Sequence, residues 1–422
     1  MIILISLFTN ILLSFLVFGT IIILLVVGLL FAKEKLTPKG LVKITINGEK
    51  ELTTEPGDNL LMTLADNFIF LPSACGGSGT CGLCKVQVLR GGGSILPTEI
   101  GFFNRKQILD NWRLGCQVKV KENIEIKIPE TILGVKQWEC EVISNKNVAT
   151  FIKELILKMP NGEILNFNSG EYIQLYVPDN IIVDFAKDIY VEDEYRDEWD
   201  KLGMWNLKMI NEESTFRAYS MANYPAENDI IMLNVRIATP PWDKNKNKFI
   251  DVPPGICSSY IFSLKPGDKV KISGPYGEFH LKDSDKEMIF IGGGAGMAPM
   301  RSHIFHLFKT LHTQRKVSFW YGGRSLKELF YIDQYRLLEA ENPNFKFVVA
   351  LSEPKREDNW NGPIGFIHQV LYDCYLKDHS EPEECEYYIC GPPPMLNAVL
   401  ELLDNLGVPQ ENIAFDDFGL CA

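Results

Sequence analysis

Three cysteines fall within the ten residues CGGSGTCGLC (Cys75 to Cys84), and a fourth stands apart in WRLGCQVKV as Cys116. The pattern is C-x5-C-x2-C, a gap of 31 residues, then C. Any fold of this chain has to hold three thiols on one loop and return a fourth from a distant segment. The spacers suit the task. Glycine adopts backbone angles closed to other residues, so amides in such a loop can turn inward toward the sulfurs. Four thiolates in a tetrahedral set serve zinc or an iron–sulfur centre. Structural zinc ordinarily takes two C-x2-C pairs, whereas three ligands on one loop and one remote ligand suit a [2Fe–2S] cluster. A structural zinc loop is the competing reading.

Thiol chemistry depends on compartment, and the N-terminus bears on that. From Ile2 to Ala32 there is no charged side chain. About 20 apolar residues suffice to cross a bilayer. A cleaved signal peptide would begin with basic residues, run shorter and end at a small-residue site. An uncleaved anchor over residues 1–32 is therefore expected, with a linker at 33–40. Lys33, Lys35 and Lys39 follow the run, so the positive-inside rule places the rest of the chain in the cytoplasm. Disulfides are uncommon there, which turns ten cysteines toward metal or redox chemistry. The net charge of −12 argues against a nucleic-acid partner.

Beyond the linker, LVKITINGEKEL alternates like two strands joined at Asn47-Gly48, and KVQVLRGGG reads as another strand. The cysteine domain is expected at 41–132. QWECEVISNKNVATFIKELILKMP opens a second set of alternating strands, expected at 133–285. In the last part, 286–422, MIFI leads into Gly292 to Gly296 and then into a helical pattern. Strand, glycine turn and helix together bring amides to a phosphate at a helix N-terminus. The turn is G-x-G-x-x-P (Gly294, Gly296, Pro299) rather than G-x-G-x-x-G, and a packing turn is the bland alternative. KVSFWYGGRS, KFVVALSE and CEYYICGPPP read as strands, and GFIHQVLYDCYL and PMLNAVLELLDNLG as helices apolar on one face. That is a doubly wound parallel sheet, with its ligand beyond the strand C-termini.

Two stretches in the middle part suit a flavin. RAYS offers Arg217 for a pyrophosphate, Tyr219 for a ring face and Ser220 for a ring edge. PPGICSSY offers Gly255, Ser258 and Ser259, small residues whose amides can approach a second phosphate. Taken alone, RAYS is equally an ordinary exposed strand.

Together these stretches resemble the ferredoxin–NADP reductase superfamily: RAYS as its R-x-Y-S flavin motif, GPYGEF as its barrel end, GGGAGMAP as its nicotinamide turn and CGPPPM as its late strand turn. The cysteine spacing is one residue longer than the plant-type ferredoxin pattern and is similar to the ferredoxins of oxygenase and membrane electron chains. With the anchor and fused ferredoxin ahead, the chain resembles the F-subunit family of sodium-pumping NADH:quinone oxidoreductases, through RAYSMANYP, VRIATPP, GGGAGMAPMRSHIF, EDNW and FDDFG. The resemblance implies a multidomain fold: a transmembrane helix, an α+β ferredoxin-like β-grasp domain, an antiparallel β-barrel for FAD and an α/β doubly wound NADH domain. It implies Cys75, Cys81, Cys84 and Cys116 as ligands of one [2Fe–2S] cluster. FAD and NADH fall to Arg217, Tyr219, Ser220, Gly255, Ser258, Ser259, Gly293, Gly294, Gly296, Pro299, Cys390, Gly391 and Phe418.

The same resemblance puts Ser220, Cys390 and Phe418 at the reacting rings, with Cys390 near the nicotinamide and Phe418 covering the flavin. A buried small hydrophobe is the other reading of Cys390. The resemblance also implies a single-pass protein of a bacterial inner membrane. Electrons would pass from NADH through FAD and the cluster to other membrane subunits of the complex, and finally to quinone. Arg324 and Ser325 would suit a 2′-phosphate, so the choice of NADH over NADPH rests on the family. YGGRS stands where YGARS is expected, and Gly322-Gly323 should loosen that turn. The rival enzyme is the soluble reductase component of a dioxygenase or multicomponent monooxygenase, from which the anchor distinguishes this chain. A membrane-tethered scaffold without chemistry is the rival of another class.

Three further signals carry less. Asp243 to Pro254 starts like a calcium loop but has Lys248 at the glycine position and Pro254 at the glutamate position. His303 and His306 share a helix face with no acidic ligand, as packing or surface residues do. The acidic stretch Asp184 to Lys201 interrupts the flavin domain, as either a solvated insertion or a docking surface for a partner.

Overall fold

The uncharged N-terminal run forms one helix, Ile2–Leu36, in a computed structural model that describes residues 2–36 and 40–417, with side chains for 12–31 and 40–417. Leu12–Phe31 is long and apolar enough to cross a membrane, with mean hydropathy 2.9 over 20 residues and none of its span buried against protein. A helix satisfies all its backbone bonds internally, which hydrocarbon requires. The helix continues through Leu36 into the stretch expected as linker.

Contacts divide the chain into two units, Met1–Asn67 with Cys84–Glu130 and Phe68–Leu83 with Thr131–Ala422. In the first, strands β1 (Val42–Ile46) and β2 (Lys50–Thr54) form the expected hairpin. Asn47 and Gly48 both take left-handed angles there, φ +54° and +75°. With β3 (Lys85–Arg90), β4 (Trp112–Leu114) and β5 (Ile124–Lys127) they make a sheet of order β2-β1-β5-β3-β4, in which β1 and β5 run parallel. Ile44, Ile46, Val86, Leu114 and Ile126 are fully buried in it. A buried ion pair fixes β4: Arg113 Nη2 lies 2.8 Å from Glu99 Oε2, while Glu99 Oε1 accepts the Leu114 amide at 2.8 Å. Arg113 also donates to the carbonyls of Gly92 and Gly93. Removing one partner of such a pair costs about 3–5 kcal/mol, so the strand leading to Cys116 is held firmly.

The second unit begins its main body with β6 (Lys136–Ala149), β7 (Ile152–Lys158) and β8 (Tyr172–Val177). A side ribbon, β9 (Ile181–Asp184) and β10 (Lys208–Asn211), precedes β11 (Thr215–Ser220) and β12 (Ile230–Arg236). The small ribbon β13 (Trp242–Asp243) and β14 (Lys248–Phe249) and then β15 (Lys269–Tyr276) follow. Six strands pair antiparallel in the order β11-β8-β15-β6-β7-β12, and a bridge between Met221 and Leu233 joins the two ends into a barrel. The rejected calcium loop is the turn of the β13–β14 ribbon, where Asp243 Oδ1 accepts the amides of Asn245 and Lys246.

The acidic insertion is not a solvated loop. Its helix Arg196–Leu202 puts Trp199 fully inside the barrel core, among Phe151, Phe185, Trp205 and Phe262. The indole Nε1 donates to the Thr150 carbonyl at 2.7 Å. Phe185, Ile189 and Val191 of the same stretch are buried with it, so scattered apolar residues among the charges, rather than a regular apolar stripe, do the anchoring.

The C-terminal part is the expected parallel sheet: β16 (Met288–Gly293), β17 (Val317–Gly323), β18 (Phe345–Leu351), β19 (Glu386–Cys390) and β20 (Ile413–Asp416), in the order β18-β17-β16-β19-β20. Alternation along β16 sends Met288 and Phe290 to one face, with helices Met297–Lys309 and Ile332–Glu341. It sends Ile289 and Ile291 to the other, with helices Ile367–Cys374 and Pro393–Asn405. The Gly322-Gly323 turn is tight rather than loose: a Cβ on Gly322 would lie 2.9 Å from Ile367 Cβ. His303 is a packing residue, fully buried with Nδ1 3.0 Å from Ser169 Oγ, and burial pushes its pKa down to about 3.

Candidate functional site

In the cysteine loop, Gly76, Gly77, Gly79 and Gly82 all have positive φ, from +65° to +92°. This is the conformation that lets successive amides face one side. The Cys75 thiol is lowered to about 2, first by its contact with Cys81 and then, against burial, by the Ser78 hydroxyl and the amides of Cys81 and Thr80. Cys81 is pushed up, first by Cys75 and then by burial, while the amides of Leu83, Cys75 and Ala74 act the other way. The two sulfurs thus compete for one proton in a cradle of N–H groups that favours the thiolate. In the first unit, Cys84 and Cys116 are both buried, and the Gly115 amide donates to the Cys84 carbonyl at 2.7 Å. The β3–β4 pairing of Lys85 with Leu114 aligns the two cysteine segments. A donor set of thiols in an amide-lined glycine loop fits an iron–sulfur cluster better than a cation bound by carboxylates. The loop is also close-packed on one side: a Cβ on Gly76 would lie 2.5 Å from the Phe216 carbonyl oxygen and 2.2 Å from Arg217 Nη1.

The RAYS stretch is the barrel strand β11, paired with β8 through Arg217–Leu175 and Tyr219–Ile173. Residues two apart on a strand share a face, so Arg217 and Tyr219 present to the same side. Arg217 Nη1 donates to the Phe216 carbonyl at 2.8 Å and to Thr215 Oγ1 at 3.3 Å. Tyr219 is half-buried, and burial pushes its hydroxyl well up. Gly255 caps the helix Ile256–Ser263. The hydroxyls of Ser258 and Ser259 are turned inward: both donate to the Gly255 carbonyl, and Ser258 Oγ also accepts the Ala238 amide at 3.0 Å. What this corner presents outward is backbone.

The ends of β16 and β19 touch. A Cβ on Gly296 would lie 2.1 Å from the Cys390 carbonyl oxygen, and one on Gly391 2.4 Å from Met395 Cε. Gly293 is equally confined, 2.9 Å from Met395 Sδ, and Gly294 takes a left-handed turn at φ +57°. Pro299 is buried in the first turn of the helix that follows. Strand order reverses between β16 and β19, so this is the crevice where doubly wound sheets bind ligands.

Cys390 closes that crevice from below, fully buried and in register with Gly292 and Asp416. Burial, then Asp416 and Asp417, hold its thiol well above the usual range. Asp416 in turn accepts a hydrogen bond from Ser220 Oγ at 2.9 Å, bridging the barrel strand to the parallel sheet. Burial, and secondarily Asp417, push Asp416 up to about 6 although the Ser220 hydroxyl opposes this. Ser220, Asp416 and Cys390 therefore form one group. The sequence reading missed Asp416, although it lies in the quoted FDDFG. Phe418, from the same stretch, lies outside the described residues.

A second cluster is at the opposite end of the sheet, where ligand atoms of Glu287, His379 and Cys385 lie within 4.8 Å of one another. His379 Nδ1 accepts the Glu381 amide, so Nε2 carries the proton toward Glu287 and Cys385. Lys316 and Tyr375 complete the set on Glu287, making it a hydrogen-bonded brace rather than a metal site.

Comparison with known proteins agrees with this geometry. Residues 44–121 match the 2Fe-2S iron-sulfur cluster binding domain, 203–281 the oxidoreductase FAD-binding domain and 290–401 the oxidoreductase NAD-binding domain. The chain is 55% identical over 404 residues to the F subunit of the Na(+)-translocating NADH-quinone reductase of Methylococcus capsulatus, covering 95% of this chain and 97% of that one. It is 57% identical to the corresponding F subunit of Klebsiella pneumoniae, again over 95% and 97%. The chain belongs to the F-subunit family of Na(+)-translocating NADH-quinone reductases. This F-subunit chain carries all three cofactor modules in one polypeptide, and the fold extends further. A cytochrome P450 reductase of Amycolatopsis matches with TM-score 0.61 and 22% identity, over 89% of this chain and 98% of that one. The ferredoxin reductase of carbazole 1,9a-dioxygenase matches at TM-score 0.58 and 23% identity, over 90% and 98%. These two likenesses concern architecture alone.

Proposed function

We propose that this chain is the electron-input subunit of a membrane NADH:quinone oxidoreductase that pumps sodium, with FAD and a [2Fe–2S] cluster as its cofactors. FAD, when bound, supplies the conversion between a hydride pair and single electrons that a one-electron cluster needs. The protein's own residues bind, orient and shield. Arg217 and the amides at Gly255 would hold the pyrophosphate, and Tyr219 would offer its ring to the flavin. Gly293, Gly294, Gly296, Pro299 and Gly391 form the close-packed turn at the sheet's reversal point against which the nucleotide would lie. Ser220 is oriented by Asp416, and Cys390 keeps its proton beside the nicotinamide. Cys75, Cys81, Cys84 and Cys116 ligate the cluster. Phe418, outside the described residues, is assigned to the flavin by the family resemblance alone. No side chain needs to act as general acid or base in this scheme.

The observation that carries this reading is the hydrogen bond from Ser220 to Asp416, because it ties the strand bearing the flavin motif to the residue paired with Cys390 across the neighbouring strand. The F-subunit relatives belong by name to a multisubunit reductase, and the N-terminal helix fits a membrane anchor. In our reading the neighbours are the other membrane subunits of the sodium-pumping complex, the final acceptor is quinone, and the membrane is the bacterial inner membrane with the bulk of the chain cytoplasmic. The helix is the feature that a soluble oxygenase reductase has no use for. Anaerobic addition of NADH to the purified chain tests the scheme. Flavin absorbance should bleach, followed by the EPR signal of a reduced [2Fe–2S] cluster. Bleaching without the EPR signal would refute the electron order, and a colourless protein would refute the enzyme.

A further inference from the structure

The acidic insertion meets the loops after β17 and β18 in ion pairs. Asp197 Oδ2 lies 2.9 Å from Lys327 Nζ, and Glu198 Oε1 lies 3.1 Å from Lys355 Nζ. Beside them, Glu328 Oε1 lies 3.3 Å from Arg324 Nη2. The two loops are themselves joined. The Glu353 amide donates to the Arg324 carbonyl at 2.8 Å, and Asp358 Oδ2 accepts the amides of Leu326 and Lys355. The insertion is anchored at the same place, since Trp199 bonds the Thr150 carbonyl while the Thr150 amide bonds the Lys327 carbonyl. Arg324, Lys327 and Lys355 thus share one rim, just past the C-terminal ends of β17 and β18.

That rim has a defined place in a doubly wound sheet. The pyrophosphate of a dinucleotide sits at the glycine turn of the first strand, and the adenosine ribose reaches the end of the next. At that point an acidic residue takes the ribose 2′-hydroxyl, or an arginine takes a 2′-phosphate. Here the first strand is β16, the next is β17, and the residue after it is Arg324. By sequence this arginine, with Ser325 and two lysines near, invites a 2′-phosphate. The structure answers differently: Ser325 is buried, and each of the three cations already has a carboxylate.

We propose that the acidic insertion is a selectivity element for the nucleotide, in which Asp197 and Glu198, together with Glu328, neutralise the rim and so favour NADH over NADPH. The proposal rests on the reading of this chain as an NADH oxidoreductase and adds to it the residues that exclude the phosphorylated coenzyme. A 2′-phosphate carries roughly −1.5 to −2 charge and gains from bare cations, above all from a free guanidinium fork. A rim of matched pairs offers it little. Exposed pairs of this kind add little to folding stability, so their effect on a passing charge is the larger one. The pairs are ionic: contact with Lys327 lowers the Asp197 pKa, and contact with Glu198 raises that of Lys355.

The test uses the full chain purified in detergent, as wild type, as the double variant Asp197→Asn/Glu198→Gln, and as Glu328→Gln. Binding of 2′,5′-ADP, which carries the 2′-phosphate, is compared by calorimetry with binding of 5′-AMP, which lacks it. The double variant should bind 2′,5′-ADP about tenfold more tightly at low ionic strength, with 5′-AMP changing less than about twofold. The kcat/KM ratio of NADPH to NADH should rise in step, and the gain should shrink with added salt. Glu328→Gln should act in the same direction by freeing Arg324. Equal changes for both probes would indicate a merely structural role and overturn the proposal, as would an unchanged ratio or a salt-independent gain. Full FAD content in each variant guards against misfolding. If wild type failed to oxidise NADH, the functional reading would fall instead.

Discussion

Cys75 and Cys390 are both buried cysteines, and their surroundings drive them in opposite directions. Around Cys75 the near groups are amide hydrogens, a hydroxyl and a second thiol, and the thiolate is favoured. Around Cys390 the near groups are two carboxylates at the end of a parallel strand, and the thiol keeps its proton. Burial alone would push both upward. Backbone direction decides between them: a left-handed glycine turn points N–H groups at the first sulfur, while β-register puts Asp416 beside the second. One residue type is thereby poised as a thiolate in one region and kept a neutral thiol in the other.

The contrast can be broken most sharply at the loop. Cys75→Ala should abolish the EPR signal of the dithionite-reduced cluster while FAD stays at full occupancy. A surviving signal would show that the loop's thiolates are not its ligands. At the crevice, Gly296→Ala puts a Cβ within 2.1 Å of the Cys390 carbonyl oxygen, and backbone cannot yield as a side chain can. NADH:ferricyanide activity should fall by about 100-fold with the cluster signal intact.

Cys390→Ala is the milder probe. It should lower NADH:ferricyanide kcat/KM by about tenfold, again with no change in EPR. Loss of the cluster in this variant would erase the distinction between the two cysteines. The smallest effect concerns the carboxyl next to Cys390. Because the native state holds Asp416 up to about 6, it retains an extra proton between about pH 4 and 6. The stability contributed by this group is therefore present below that window and lost as pH rises through it. Asp416→Asn has no such proton to lose. The melting temperature of the variant, relative to wild type, should rise by a few degrees between pH 4 and 7. A constant difference across that range would mean that Asp416 titrates normally.

The two regions also differ in how far the sequence discloses them. The cluster loop is legible because its signal is local: three thiols and four glycines within ten residues leave few ways to fold. The glycine turn after β16 is legible for the same reason. Asp416 is not, since its partner Ser220 lies 196 residues away and a strand of only four residues carries no periodicity of its own. Trp199 was hidden likewise, an aromatic residue in a charge-rich stretch whose burial depends on rings from several separate elements. Arg217 was legible as a motif, but its contacts with Thr215 and Phe216 follow from the rotamer rather than from spacing.

The N-terminal helix has 35 residues, which makes it a rod of roughly 50 Å. The hydrocarbon layer is only about 30 Å thick, and membranes differ from one another by a few ångströms. The rod is therefore too long to be indifferent to the lipid around it. A thin bilayer leaves more of the rod outside the hydrocarbon or leans it over, and a thick one takes more of it in. Lipid acyl length should therefore set how far the helix leans and how much of it lies in hydrocarbon, with no ligand and no change in any residue beyond it.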